Sequence, residues 1–450
     1  MRERLSSPLR NLLRSKFVQD TITLQAGKLA LTAINFATFA IVARGLGSEA
    51  YGVYRLALTM HGLLMTLNLT GLGPSTITRL SEAIGGHDRA RTRDLMGFFV
   101  QMSLIVALIA SGAAFTFGPA FAGASYDNPF IGELMRLYTL ILFFRPIYNL
   151  SLIALQSTRA MRRYTALENG ASLFEALLKI AAVLPGGGPM GIIVAHLVAA
   201  IGRAGAGIWV YRRLQRQQPE VLPTVREVIT AARRNSPRPY WRFGVLLALD
   251  KNLAGLYTLL PQQLLGMWAG EAAVGFLNLG LGALQYPALL FSGILTNLAA
   301  RLPAAAGSGD YARLAANFRR VMRWIAPLAV GMYGLFALLA PVVVFVLGPE
   351  YVPATQVIRI LCLYGAVTAI GGIFGPLYRT LRLMRAILAV KVAALALAAL
   401  PAAWLIQTQG AAGGAWAIDL VYAIAVALTI GVTWPHLRRL AELQARPVGE

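Results

Sequence analysis

Residues 79–91 read RLSEAIGGHDRAR, and residues 301–313 read RLPAAAGSGDYAR. Laid over each other without gaps, at an offset of 222 residues, the two agree at 7 of 13 positions. Both are basic, both are broken by a glycine (Gly85, Gly307), and both carry an aspartate (Asp88, Asp310). Two loops on the same side of a membrane would share basic residues for topological reasons alone. Topology demands neither the glycine nor the aspartate. A weaker echo accompanies the pair: GSEAYGVY at 47–54 resembles GEAAVGFL at 270–277, slipped by one residue. The chain is therefore expected to be built as a tandem duplication.

Composition says in which solvent. Hydrophobic residues make up 57% of the 450 positions and charged residues only 13%, against about 25% charged in an ordinary soluble domain. Such a chain cannot cover a soluble globule with polar groups. Runs long enough to cross a bilayer as helices lie near 22–43, 52–72, 95–117, 134–155, 169–185, 190–211, 243–266, 273–297, 324–347, 355–377, 386–407 and 413–434. The N-terminal basic stretch leads into the first of these without a small-residue cleavage site, so it reads as an uncleaved span.

The formal net charge of +22 is distributed by side. Of 41 Lys and Arg, 31 fall in the two tails and in the segments 73–94, 156–168, 212–242, 298–323 and 378–385. The alternate connections carry none. The positive-inside rule then puts both termini and every basic loop in the cytoplasm. Six crossings per half mean that both halves cross in the same direction, a parallel repeat about the membrane normal. The expected organisation is a cytoplasmic amphipathic segment (1–20), a six-helix lobe (21–211), a basic linker (212–242), a second six-helix lobe (243–434) and a cytoplasmic tail (435–450). Ser7–Phe17 and Thr224–Arg234 have the pattern of short amphipathic helices on the cytoplasmic face, the latter with capping-box spacing at Thr224 and Glu227. The basic balance is explained by topology and attraction to anionic headgroups, so no nucleic-acid partner is expected.

The remaining ten basic residues sit in or at the edge of spans: Lys28, Arg44, Arg55, Arg136, Arg145, Lys179, Arg203, Lys251, Arg359 and Lys391. A mid-span cation costs roughly 2.5–3.5 kcal/mol on insertion scales and tends to face a cavity or an acid. Intramembrane acids are few: Glu175, Asp250 and Asp419. Seven of the ten cations are in the first half, which leaves that half with a positive interior. Arg145, in LFFRPIYNL, is too deep to snorkel and is the leading anion-binding candidate, with Arg55, Lys28, Arg203, Lys179 and Arg44 as further members. Arg44 and Arg136 near the outer edge, and Arg359 and Lys391 near opposite edges, are placed to snorkel. Glu175 and Lys179 are spaced to neutralise each other. Asp250, Asp419 and Glu175 are the candidates for ion coupling.

Catalytic and metal motifs are absent from the sequence. One cysteine, Cys362, and four scattered histidines supply no metal set. No G-x-x-x-x-G-K-[ST], G-x-S-x-G or H-E-x-x-H occurs. The expectation is a secondary transporter, not an enzyme, and no cofactor.

Three stretches extend this reading. ARGLGSEAYGVYRLAL (43–58), GLGPSTITRLSE (71–82) and LGPEYVPATQVIRILCL (347–363) resemble the Wzx-type oligosaccharide flippases of polysaccharide export, within the multidrug/oligosaccharidyl-lipid/polysaccharide exporter superfamily. The resemblance implies an all-α integral membrane fold of twelve helices in two six-helix bundles arranged as a V. It implies flipping of undecaprenyl-pyrophosphate-linked oligosaccharide (an O-antigen, capsule or exopolysaccharide repeat unit) to the periplasmic leaflet of the bacterial inner membrane by alternating access. Membrane lipids, a polysaccharide polymerase and a chain-length regulator are the implied partners of a monomer. Coupling to a proton, sodium or chloride ion, or to the membrane potential, stays open. Many such relatives carry an Asp in span seven where this chain has Pro261. Three alternatives remain: a lipid II flippase, which has two further C-terminal spans; a multidrug/cation antiporter, which needs buried carboxylates; and a non-transporting scaffold for polysaccharide synthesis, which has no use for Arg145.

Overall fold

The computed structural model describes residues 16–66, 68, 72–234, 238–289, 291 and 311–445. The expected amphipathic segment before Lys16, and all but the last three residues of the second copy of the opening repeat, lie outside them. Among the described residues no strand occurs. The helices are α1 (Lys16–Met65), α2 (Leu72–Gly85), α3 (Arg89–Tyr126), α4 (Pro129–Thr139), α5 (Ile141–Ser157), α6 (Met161–Val183), α7 (Gly188–Gln217), α8 (Val225–Arg234), α9 (Arg238–Ala283), α10 (Tyr311–Leu347), α11 (Ala354–Gly372), α12 (Phe374–Thr380) and α13 (Met384–Ala445).

The longest three are each two crossings joined at one residue. Gly47 breaks α1 at φ 76°, ψ 170°, Gly270 breaks α9 at φ 81°, ψ 178°, and Gly410 breaks α13 at φ 55°, ψ −125°. At the first two, a positive φ with extended ψ is a conformation open to glycine and closed to residues with a Cβ. Helices α4 with α5, and α11 with α12, each make one interrupted crossing. With α3, α6, α7 and α10 the crossings number twelve. Among the described residues eight helical stretches are long and apolar enough to span a bilayer outright. The α6 crossing does not count among them because Glu168, Glu175 and Lys179 dilute its hydropathy. Large apolar side chains such as Leu338, Phe345 and Leu400 stand 74%, 84% and 83% exposed, tolerable only in lipid. The chain is a multi-pass membrane protein.

The duplication is written into the backbone. Gly47 and Gly270 are 223 residues apart, as are Arg159 and Arg382, which share a left-handed turn at φ 55° and φ 58°. Helices α6 and α13 start 223 residues apart, at Met161 and Met384.

Contacts divide the chain into two compact units. Unit 1 holds Met1–Leu46, Asn68–Ala122 and Pro129–Val245; unit 2 holds Gly47–Leu67, Gly123–Asn128 and Leu246–Glu450. The stretch after the Gly47 break therefore packs with the second half of the chain. There it meets its own repeat mate. A Cβ on Gly52 would lie 1.9 Å from the Glu271 carbonyl oxygen, and one on Gly275 would lie 2.7 Å from that of Ser48. The two contacts exchange under the 223-residue shift, as a two-fold relation between the copies requires. In lipid there is little hydrophobic drive between helices, so close backbone approach through small residues carries the packing. Gly52→Ala is accordingly expected to lower the melting temperature of the detergent-solubilised protein, by an overpacking cost of about 1–3 kcal/mol. Gly112→Ala, where a Cβ meets nothing within 4 Å, serves as the control. Equal melting temperatures would disprove the tight crossing.

Unit 1 has its main core at the end that carries the basic loops, around Leu80, Leu95, Met96, Phe99, Leu155 and Leu214. Helix α8 lies on this core. Its N-terminus is capped as expected: the Thr224 N–H donates to Glu227 Oε2 at 2.6 Å and the Glu227 N–H to Thr224 Oγ1 at 3.3 Å. Arg89 pairs with the same carboxylate at 2.9 Å. The Thr224 N–H first, then the Thr224 hydroxyl and Arg89, hold Glu227 below its ordinary carboxylate value. The buried positions are Val228 and Ala231, while Ile229 is exposed. The buried face thus runs through Val228 and Ala231 and leaves Ile229 outward, because the helix packs on protein.

Candidate functional site

Among the described residues most of the intramembrane charges gather in three groups, and the others stand apart from them. The first group is in unit 1, where α4, α5, α6 and α7 meet. Glu175 of α6 accepts from Lys179 Nζ at 2.6 Å, from His196 Nδ1 at 3.0 Å, and from the Arg203 guanidinium. Its side chain is 14% exposed, and those of His196 and Lys179 are 11% and 18% exposed. Tyr138 of α4 packs edge-on against His196 with ring centroids 5.3 Å apart. Arg203 lies over the Tyr148 ring of α5, 5.7 Å from its centroid. The i, i+4 spacing of Glu175 and Lys179 sets the first pair. Helix α7 brings the other two, His196 and Arg203 being seven residues apart and so on one face. One carboxylate faces two permanent cations and a histidine, so the group keeps a net positive charge.

Arg145 stands one helical turn from Tyr148. It is exposed in mid-span, and among the described residues it has no ion pair or hydrogen bond. Its helix face continues through Asn149, Leu152 and Gln156, none of them buried. Elsewhere, on α10, the open face carries Leu328, Leu335, Leu338, Val342 and Phe345. A face built from Arg, Asn and Gln is written for water or a polar ligand, not for acyl chains. Arg44 is likewise exposed, at the end of its helix nearest Gly47. Lys28 lies within α1, its side chain outside the described residues.

Arg55 falls in unit 2, whereas Arg145, Lys179 and Arg203 fall in unit 1. Its Nε and Nη2 donate to Asn278 Oδ1 at 3.0 and 2.6 Å. Asn278 is the residue 223 positions on, so the two repeat mates bond to each other. Close by in the fold, Thr59 donates to Gln262 at 3.0 Å, Asn128 to Glu271 at 2.9 Å, and the Ser48 N–H to Glu350 at 3.2 Å. The last two are again related by the duplication, and Ser48 and Glu350 come from the motif stretches 43–58 and 347–363. A reading based on charge overlooked Asn278; its offset from Arg55 was the available signal.

The third group, also in unit 2, is Asp250 with Lys391 at 2.6 Å and Arg379 at 3.3 Å. The Tyr378 hydroxyl donates to the same carboxylate at 3.2 Å. Lys391 does not snorkel as expected: its ammonium also donates to the Asp250 carbonyl at 2.6 Å and its side chain is 13% exposed. A buried carboxylate within reach offers more than the distant interface. Arg136 pairs with Glu133 at 2.8 Å. Asp419 is apart from all of these: it is buried, and among the described residues neither of its oxygens has a hydrogen-bond partner.

A cleft of about 530 Å³ opens at the basic-loop end of unit 1, lined by residues including His87, Ser157, Arg159, Gln217 and Glu220. No sequence-predicted site residue lines it. Among the described residues no three His, Cys, Asp or Glu side chains gather as a metal set.

Residues 41–356 match a family model described as polysaccharide biosynthesis protein. No curated protein sequence matches. Among solved structures, the inward-facing conformation of a multidrug resistance MATE family transporter of the MOP superfamily is similar with TM-score 0.74 and 15% identity, over 92% of this chain and 96% of that one. The MATE multidrug transporter DinF-BH is similar with TM-score 0.67 and 15% identity, over 94% and 95%. A MOP superfamily transporter from Pyrococcus furiosus, described as having a binding pocket of reverse polarity, is similar with TM-score 0.63 and 15% identity, over 95% and 96%. At such identities the likeness establishes the fold, twelve helices arranged as in these transporters.

Proposed function

The chain belongs to the polysaccharide biosynthesis protein family, and from that premise we propose that it is a flippase for a lipid-linked oligosaccharide. Family and fold already point to a membrane transporter. The finer reading is that it moves an undecaprenyl-pyrophosphate-linked repeat unit from the cytoplasmic to the periplasmic leaflet of the inner membrane, with both termini and the basic loops cytoplasmic. The observation that carries it is Arg145, exposed in mid-span and without an ion pair or hydrogen bond among the described residues, on a face shared with Asn149 and Gln156 and one turn from Tyr148, over whose ring Arg203 of the net-positive group lies. A pyrophosphate is the part of such a substrate that needs cations at that depth, and a guanidinium binds it bidentately. The sugars need polar side chains, and the polyprenyl tail can stay in lipid. Moving two negative charges outward gains roughly 4.6 kcal/mol per 100 mV of membrane potential. Multidrug transport, the role named for structural neighbours, suits this cluster poorly where the drug is a cation, since one carboxylate there is outnumbered by cations.

The test is reconstitution. Purified chain in proteoliposomes is expected to make a fluorescent polyprenyl-pyrophosphate oligosaccharide in the inner leaflet accessible to a membrane-impermeant quencher, with no effect on a phosphatidylglycerol analogue. No movement of the glycolipid, together with proton-driven export of a cationic dye, would replace this reading with the multidrug one.

A further inference from the structure

We propose that the basic-loop end of α7, in unit 1, is a binding site for an anionic phospholipid of the cytoplasmic leaflet, with Arg212, Arg213 and Arg216 on its phosphate and Trp209 at the edge of its acyl chains. The site begins with a stripe. Val194, Val198, Ile201, Gly205 and Trp209 recur at steps of three and four residues, and all are exposed, Trp209 to 63%. One face of the helix is therefore open over about four turns, and large apolar side chains on such a face belong in lipid. Arg212 and Arg216 carry the same stripe onward. Arg213 stands one turn from Trp209, with its guanidinium over the indole, 5.8 Å from the ring centroid. The opposite side of the helix fixes the rotation that sends these residues outward. Tyr211 and Leu214 are buried in the main core of unit 1, and the Tyr211 hydroxyl donates to the Pro223 carbonyl at 2.6 Å.

The three arginines are exposed, and among the described residues none of them has an ion pair or a hydrogen bond. Like charges at this spacing on one helix repel each other, so the patch is written for an anion from outside. The helix dipole favours cations in the last turn. That accounts for Arg216 but not for the exposed indole before it.

Depth identifies the anion. A tryptophan at the end of an apolar stripe marks the boundary between hydrocarbon and headgroups. Arg212 and Arg216 stand roughly 5 and 10 Å beyond Trp209 along the axis, and the headgroup layer on each side of the hydrocarbon is about 5–7 Å thick. The arginines therefore meet lipid phosphates before any group in the cytoplasm. A guanidinium grips a phosphate with two parallel N–H donors, and stacking on the indole holds Arg213 ready for that contact. The last crossing of unit 2 ends in the same way: Arg438 of α13 lies over the Trp434 ring, 5.5 Å from its centroid, with Arg439 exposed beside it. There the indole packs on Phe318, at 6.2 Å between centroids, and two arginines follow it instead of three, so α7 offers the fuller site.

The inference goes beyond the flippase reading and is tested by binding alone. Phosphatidylglycerol with brominated acyl chains quenches tryptophans that it touches. Added to the full chain in detergent, it is expected to quench wild-type fluorescence more than that of Trp209→Phe, and the difference is the signal from Trp209. Each arginine at an anionic headgroup is worth roughly fivefold in affinity. Arg213→Gln should therefore raise the half-quenching lipid concentration roughly fivefold, and Arg212→Gln, Arg213→Gln and Arg216→Gln together roughly 100-fold. The three corresponding lysine substitutions keep the charge and should keep most of the affinity. Brominated phosphatidylcholine, which has no net charge, should quench Trp209 only at the concentrations that the triple glutamine variant needs. Size-exclusion elution checks folding; if the triple variant fails it, Arg213→Gln decides. Equal half-quenching by the two lipids, or an unchanged value in the glutamine variants, would overturn the site. Displacement of the lipid by millimolar inorganic phosphate would overturn the lipid in favour of a free anion. Selective binding by a protein that moves no glycolipid would leave the site standing and refute the flippase.

Discussion

Glu175→Ala is expected to cost unit 1 about 3–5 kcal/mol, the usual penalty for removing one partner of a buried ion pair and stranding the other. Here it strands two. Lys179, Arg203 and His196 converge on this carboxylate, and without it two permanent cations would share one low-dielectric site. Against a total stability of about 5–15 kcal/mol, such a loss should show as a sharply lower yield of monodisperse protein and a lower melting temperature in detergent. Glu175→Gln keeps the shape and loses the charge, so it should fall only partly short of the alanine variant. Glu175→Gln combined with Lys179→Met removes the repulsion and should recover part of the loss. A double-mutant cycle reads that recovery directly, with coupling of about 0.5–3 kcal/mol expected for residues in one network. A wild-type melting curve for Glu175→Ala would mean that water reaches the group and screens it.

That cluster also marks the limit of what was legible in the sequence. Glu175 and Lys179 are four apart, and a helix of any kind brings them together. The approach of His196 and Arg203 depends on how α7 packs against α6, which no spacing reveals. The same holds for Asp250 and Lys391, 141 residues apart. Each alone reads as an ion site or a snorkelling lysine; only packing turns them into a pair. Positions governed by the bilayer were readable, because hydropathy and arginine placement answer to the lipid and not to neighbouring helices. Thus the twelve crossings and the duplication were visible, and the shared 223-residue offsets of Gly47 with Gly270 and of Arg159 with Arg382 carry the duplication into the backbone. The copy at 301–313 that first suggested it lies almost wholly outside the described residues. Helix α8 falls between these cases. Its cap was readable from Thr224 and Glu227, but its buried face was not, since Ile229 turns away and Ala231 turns in.

Arg145→Ala is expected to abolish glycolipid movement while leaving the amount and membrane insertion of the protein normal. The two halves of that expectation come from one fact. Arg145 is exposed and unpaired among the described residues, so its loss strands no partner and opens no cavity, unlike the loss of Glu175. Stability should therefore hold or rise slightly, because a mid-span cation is itself costly. What disappears is the charge on the Asn149 and Gln156 face. Arg145→Lys should retain partial activity, keeping the charge but losing the fork that grips a pyrophosphate with two parallel hydrogen bonds. Arg145→Glu should be worse than alanine, since it repels the anion. Arg359, which is exposed and donates to the Ala337 carbonyl at 3.4 Å, is the control: Arg359→Ala should matter less. Proteoliposome transport scored against reconstituted protein separates these outcomes from expression effects. Full transport by a well-folded Arg145→Ala protein would show that the arginine faces lipid headgroups or solvent away from the substrate, and the anion would then have to be held by Lys179 and Arg203 alone.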